Sequence, residues 1–254
     1  MDDYQANRAL NTAEIRQGTT FLKSKPLQVN IELMGICNID PPCVFCTGKN
    51  FGHNYEKLDV GHLEKYRSFL DHCEHINEDS FGEPLMHSGL IGLAQKVTAR
   101  GQQFSFVTNG LLLNERRAIG LAKCGPKLGF HVSFNAATAD TYFKLCGKDF
   151  GLLVENVRRY VSIYKQLNSG ALPDLTLTFI VMKINRAEVI DFLHLARELE
   201  SKPLLASLHN RPSVPLGQFG YEFDYLAEML SPQEFAAIGL EADSSIHPPK
   251  KRTP

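Results

Sequence analysis

Ile36-Cys37-Asn38-Ile39-Asp40-Pro41-Pro42-Cys43-Val44-Phe45-Cys46 gathers three cysteines within ten residues, directly after a run, Leu27 to Met34, that reads as a first β-strand. A loop at the C-terminal end of a parallel strand lies where barrel enzymes build their sites. The paired prolines stiffen the wider gap, so three thiolates can converge there at low entropic cost. Free cysteines rarely bunch in a loop, and a shared metal group is the economical explanation. Two chemistries fit three thiolates. A structural zinc site wants four closed ligands, and His53 or Cys73 would have to supply the last. An iron-sulfur cubane on three thiolates leaves one iron open for another ligand, and soft sulfur donors suit it.

Working outward, short β-rich runs alternate with amphipathic helical stretches from Pro26 onward, the pattern of βα units around a parallel sheet. Further strands are expected at His75 to Asn77, Phe104 to Thr108, Leu128 to Phe134, Leu175 to Met182 and Leu204 to Leu208. Helices are expected near Val60 to Cys73, after Leu90, near Asn114 to Lys123, from Leu153 to Tyr164 and from Val189 to Leu199. A full eight-unit barrel needs roughly 250 residues, whereas this region holds about 185. The expected architecture is therefore an α/β fold, an incomplete (β/α)6 TIM-type barrel of parallel strands at residues 26–210. A polar N-terminal extension, 1–25, carries one short helix around Thr12 to Gln17. A C-terminal extension and tail, 211–254, opens on a Pro/Gly-rich stretch, followed by helices near Phe223 to Leu230 and after Ser231-Pro232.

Composition narrows the function classes. The 254 residues are 43 % apolar and 22 % charged, enough for one large folded domain. Lys plus Arg number 27 against 28 Asp plus Glu, so no overall basic field exists to hold nucleic acid, which is not expected as a partner. No run approaches the roughly 18 apolar residues of a membrane span, and MDDYQANRAL is too polar for a signal core. A cytoplasmic location with reduced thiols is the expectation, and six cysteines in so long a chain do not suggest a disulfide scaffold. Cys73 falls on an apolar helical stripe and reads as core; Cys124 and Cys146 read as small unreactive residues at element ends.

The later strand ends carry motifs consistent with the cysteine loop. Ser80-Phe81-Gly82-Glu83-Pro84-Leu85-Met86 follows the second strand, Thr108-Asn109-Gly110 the third, and Ser133-Phe134-Asn135-Ala136-Ala137 the fourth. Together they resemble the radical S-adenosylmethionine (SAM) superfamily, whose usual signature is CxxxCxxC with an aromatic residue before the last cysteine. Phe45 takes that aromatic place and the second gap matches; the first gap is five residues instead of three. The resemblance runs from about Leu27 to Leu208 and is nearest the branch of peptide-modifying and molybdenum-cofactor-synthesis enzymes. It implies a 4Fe-4S cluster on Cys37, Cys43 and Cys46. It also implies a SAM site made by Phe45, by Gly82, Glu83 and Pro84 in a GGEP-like turn where Phe81 replaces the first glycine, by Thr108 and Asn109, and by Ser133 and Asn135.

The implied activity is reductive cleavage of SAM to a 5′-deoxyadenosyl radical that abstracts hydrogen from a peptide or other bulky organic molecule. The electron would come from a donor such as flavodoxin or ferredoxin. No cysteine follows Cys146, so no C-terminal auxiliary cluster is expected. His209 and Arg211, just past the sixth strand, are either surface residues or substrate contacts. The alternative is a zinc-stabilised α/β binding module without catalysis.

Overall fold

The computed structural model describes residues 3–46, 57–208 and 228–238. Helix α1, Asp3–Arg16, leads to β1, Gln28–Ile31, and after the cysteine loop come a 3-10 segment, Val60–Tyr66, and a short α2, Arg67–Leu70. The order continues β2 His75–Glu78, α3 Leu90–Ala99, β3 Gln103–Thr108, α4 Glu115–Ala122 and β4 Leu128–Ser133. Then follow α5 Ala139–Cys146, α6 Phe150–Leu167, β5 Asp174–Val181, α7 Val189–Glu198 and β6 Lys202–Ser207.

All six strands lie in one parallel sheet in the order β1-β2-β3-β4-β5-β6, so each strand sits beside its sequence neighbour. Parallel neighbours joined by crossovers of one hand, right-handed by the general rule for βαβ units, carry their helices on one side, which is the logic of a barrel with units missing. Burial alternates along the strands, strictly in β4 and β5. Phe104, Phe106, Phe130, Leu177 and Phe179 face the helices and are 0–1 % exposed. Phe106 stacks on Phe130 at 4.7 Å, and Phe130 meets Tyr160 of α6 edge-on at 4.9 Å.

Three elements differ from the sequence expectation. Helix α1 spans 14 residues, not a few, and it docks by polar hooks in place of an apolar stripe. Asn7 accepts from Lys25 N at 2.7 Å and donates to the carbonyls of Lys25 and His72, while Glu14 accepts from Lys23 N and Ser24 N. The stretch expected as one helix from Val60 to Cys73 begins as 3-10 over Val60–Tyr66 and is α-helical only over Arg67–Leu70; Asp59 caps its start, its carboxylate accepting from Gly61 N at 2.9 Å. Helix α5 is an addition: Thr138 caps it by accepting from Thr141 N, and Gly147 ends it at φ +63°, where glycine carries no Cβ penalty.

Residues 232–238 are helical, in keeping with the helix expected after Ser231-Pro232. This piece is tied to the β5–α7 connection by Lys183 N to Glu228 O and by Arg186 to Glu234. The helix expected near Phe223, and His209 and Arg211, lie outside the described residues, apart from Glu228, Met229 and Leu230. No described helix is long and apolar enough to cross a membrane.

Candidate active site

At the C-terminal ends of the strands, Cys37, Cys43 and Cys46 line one cavity of about 400 Å³. Phe45, Gly82, Glu83, Thr108, Asn109, Ser133 and Asn135 line it too. Of the described residues expected at the SAM site, Pro84 stays off the wall; it starts the buried 3-10 turn Pro84–Met86.

The entrance of the cysteine loop is stitched to the turn after β2. Ser80 Oγ, itself bonded to Glu78, accepts from Leu33 N and Met34 N at 3.0 Å; Gly82 N donates to Met34 O and Glu83 N to Ile36 O. The two strands of chain approach so closely that a Cβ at Gly82 would sit 2.4 Å from both Met34 O and Ile36 O. That contact forces glycine there. Phe81, at the place of the family's first glycine, has no positive φ and donates its N–H to Glu32, so this turn needs no glycine at that point.

Glu83 is 1 % exposed and its carboxylate accepts from Leu85 N, Thr108 Oγ1 and Asn109 N at 3.0, 2.5 and 2.8 Å. Burial pushes its pKa up while those donors oppose the shift. Its main role is thus to join the β2 and β3 turns, with Oε2 keeping room for one further donor. Asn109 extends the connection, donating from Nδ2 to Asn38 Oδ1 at 2.8 Å and to Cys37 Sγ at 3.6 Å. Asn135 is also committed internally: at φ +57° its Oδ1 accepts from Ile180 N at 2.9 Å. Asn185, which sequence reading passed over, donates to the carbonyls of Asn135 and Ile180 and so fixes the β4 and β5 ends together. Ser133 remains a half-buried hydroxyl on the wall.

Burial, with Glu83 and the other two cysteines adding to it, pushes the Cys37 thiol up to about 11 against one hydrogen bond from Ile39 N. A bound cation reverses that balance. Among the described residues no three His, Cys, Asp or Glu side chains close around a single ion. Three thiols from one loop on one cavity wall supply the soft donors that an iron-sulfur cluster takes. Cys73 is fully buried with its Sγ against Phe69 O, and His53 is outside the described residues. The donor set and the glycine cradle therefore fit a three-cysteine cluster beside a small organic ligand. Cys146, Tyr142, Asp79 and Ser207 also line the wall, so Cys146, read from sequence as a small unreactive residue at an element end, lies at the cavity; Asp79 and Ser207 carried no sequence signal that could have singled them out.

No family model matches the chain. A probable GTP 3′,8-cyclase of Saccharolobus islandicus is 30 % identical over 216 residues, covering 81 % of this chain and 64 % of the relative; a counterpart in Saccharolobus solfataricus is 28 % identical over 219. The chain thus spans just under two thirds of the length of these relatives. Streptococcus suis SuiB shares the fold at a TM-score of 0.70 and 15 % identity, covering 95 % of this chain and 51 % of SuiB. The enzyme anSMEcpe with bound AdoMet and a Kp18Cys peptide matches at 0.59 and 18 %, covering 85 % of this chain and 59 % of its own.

In sequence and in fold the chain is similar to radical SAM enzymes. Its open six-stranded sheet is the partial barrel of these radical SAM neighbours, and the cysteine loop occupies the same end of the sheet as the other motif turns.

Proposed function

We propose that this chain is a radical SAM enzyme in which Cys37, Cys43 and Cys46 hold a 4Fe-4S cluster and the adjoining cavity holds SAM. The observation that carries the reading is that the three thiols, the Gly82–Glu83 turn, Asn109 and Ser133 border one cavity although they come from four different strand ends. When bound, the cluster and SAM supply one electron and a 5′-deoxyadenosyl radical, the hydrogen-abstracting agent of the superfamily. The chain's own residues hold and orient. Backbone carbonyls beside Gly82 and the open lone pair of Glu83 are partners for an ammonium group, and Ser133 is a partner for a carboxylate or ribose hydroxyl. Asn109 donates toward Cys37 sulfur, which favours the thiolate form. Phe45, Ile39 and Tyr142 border the space with apolar surface that keeps water from the reacting atoms.

The substrate we assign is a peptide or another organic molecule large enough to use an open barrel mouth, with flavodoxin or ferredoxin as electron donor. The domain limits 26–210 for the barrel are part of the same reading. Anaerobic reconstitution tests it: about four irons per chain, a thiolate-to-iron absorption band, and 5′-deoxyadenosine on adding dithionite and SAM. A chain that takes up one zinc and no iron under those conditions returns the zinc-stabilised module to first place.

A further inference from the structure

The side of the sheet turned away from the helices is built from different chemistry. It presents Asn30 on β1, Asn77 on β2, Ser105 on β3, His131 on β4 and Thr178 on β5, all half-buried or exposed. A closed barrel fills this space with bulky branched apolar side chains. Here hydrogen bonds run across it. His75 Nε2 lies 2.6 Å from Ser105 Oγ, which donates to Asn77 Oδ1 at 2.6 Å; His131 Nδ1 lies 3.3 Å from Thr178 Oγ1. The first chain ends on the Asn77 amide with its NH₂ as donor. Burial lowers the pKa of both histidines, so both rings are neutral near pH 7.

The place of this ladder matters. Ser105, His131 and Thr178 each stand two residues before Val107, Ser133 and Ile180, which line the cavity, and in register His131 sits beside Val107 and Thr178 beside Ser133, so the ladder steps down directly from the cavity floor. The charged strand residues on this face are Asp174 and Lys202 at the far end, paired with each other at 2.8 Å. No Lys or Arg is among the residues lining the cavity above, whose charged members are Asp79 and Glu83.

We propose that this face is a polar recess continuing the cavity, which receives an uncharged, acceptor-bearing part of the substrate, such as an amide carbonyl, through Asn77, Ser105, His131 and Thr178. The inference rests on the radical SAM reading of the cavity above it. An anionic group, a phosphate included, finds no cationic partner on the described walls.

Thiol accessibility tests it without iron, SAM or a known substrate, so its failure is separable from failure of that reading. Ser105→Cys and, as a second reporter should that variant not fold, Thr178→Cys are treated with neutral and sulfonated methanethiosulfonates of similar size, and modification is read at each residue by mass spectrometry. Val107→Cys serves as the open reference and the fully buried native Cys73 as the closed one. The neutral reagent is expected to modify the new thiol within about tenfold of the Val107→Cys rate and at least about 100-fold faster than Cys73. The sulfonated reagent is expected to be at least about fivefold slower than the neutral one, because the local field is carboxylate-dominated. A reporter as inert as Cys73 means a packed core and overturns the recess. A sulfonated reagent that reacts as fast as the neutral one, or faster, overturns the uncharged-ligand assignment.

Discussion

The cysteine loop and the turn after β2 lie against each other, yet they are held in opposite ways. The turn is over-determined: Gly82 and Glu83 donate their N–H groups to the loop's carbonyls, and the Glu83 carboxylate takes three donors from two elements. Beyond its stitched entrance the loop has, among the described residues, no buried carboxylate at its centre; its ties include Val44 N to Leu145 O, Lys148 Nζ to Asp40 O and the Asn109 bond to Asn38. The difference teaches where shape comes from. On the proposed reading, the wall facing the organic ligand is set by the protein, whereas the thiol-bearing arc would be completed by the metal group.

The severest challenge to that contrast is Gly82→Ala. Its Cβ meets two backbone carbonyls that cannot rotate away, so unfolding in urea should show a loss of about 3 kcal/mol, at the top of the overpacking range. A variant as stable as the parent would break the claim that this turn is rigid. Next in size, Glu83→Ala leaves Thr108 Oγ1, Asn109 N and Leu85 N without their acceptor, for a loss of about 2 kcal/mol in the same measurement.

A third test is pH. Glu78, fully buried beside Ser80, has its pKa raised by burial to about 7 from 4.5, and its Oε2 has no partner. A carboxyl whose folded pKa lies above its unfolded one stabilises fully below about pH 4.5 and loses that stabilisation as pH rises to about 7. Thermal melts across this window should fall more steeply for the parent than for Glu78→Gln; parallel curves would show that Glu78 does not titrate there. The smallest effect on folding is expected from Cys46→Ala, within about 0.5 kcal/mol for the iron-free chain. Its iron uptake on reconstitution should nevertheless collapse, since two thiolates do not replace three. A large loss of apo stability would show that the protein, not the cluster, shapes the arc.

Legibility followed the range of the interactions. Strands β3, β4 and β5 and helix α6 were readable because their apolar periods are local and strong; α6 buries Leu153, Val157, Tyr160, Val161 and Tyr164 on one stripe. Helix α1 was largely invisible because Asn7 and Glu14 act through bonds to residues up to 65 positions away. Helix α5 carried no sequence expectation, because Thr138 as cap and Gly147 as stop are short signals inside a stretch without a long stripe.

By itself the sequence determined the alternation of strand and helix, the opening of the barrel through its shortage of units, and the spacing of three thiols after the first strand. The strand and helix periods and the thiol spacing are each written within a few residues of chain, and the shortage is a count of such units. Only the tertiary structure decided that Glu83 braces two turns, that Asn135 and Asn185 lock β4 to β5, and that Cys146 reaches the cavity wall. Those outcomes depend on hydrogen bonds and close approaches between segments far apart in sequence, which leave no periodic mark on the chain that makes them.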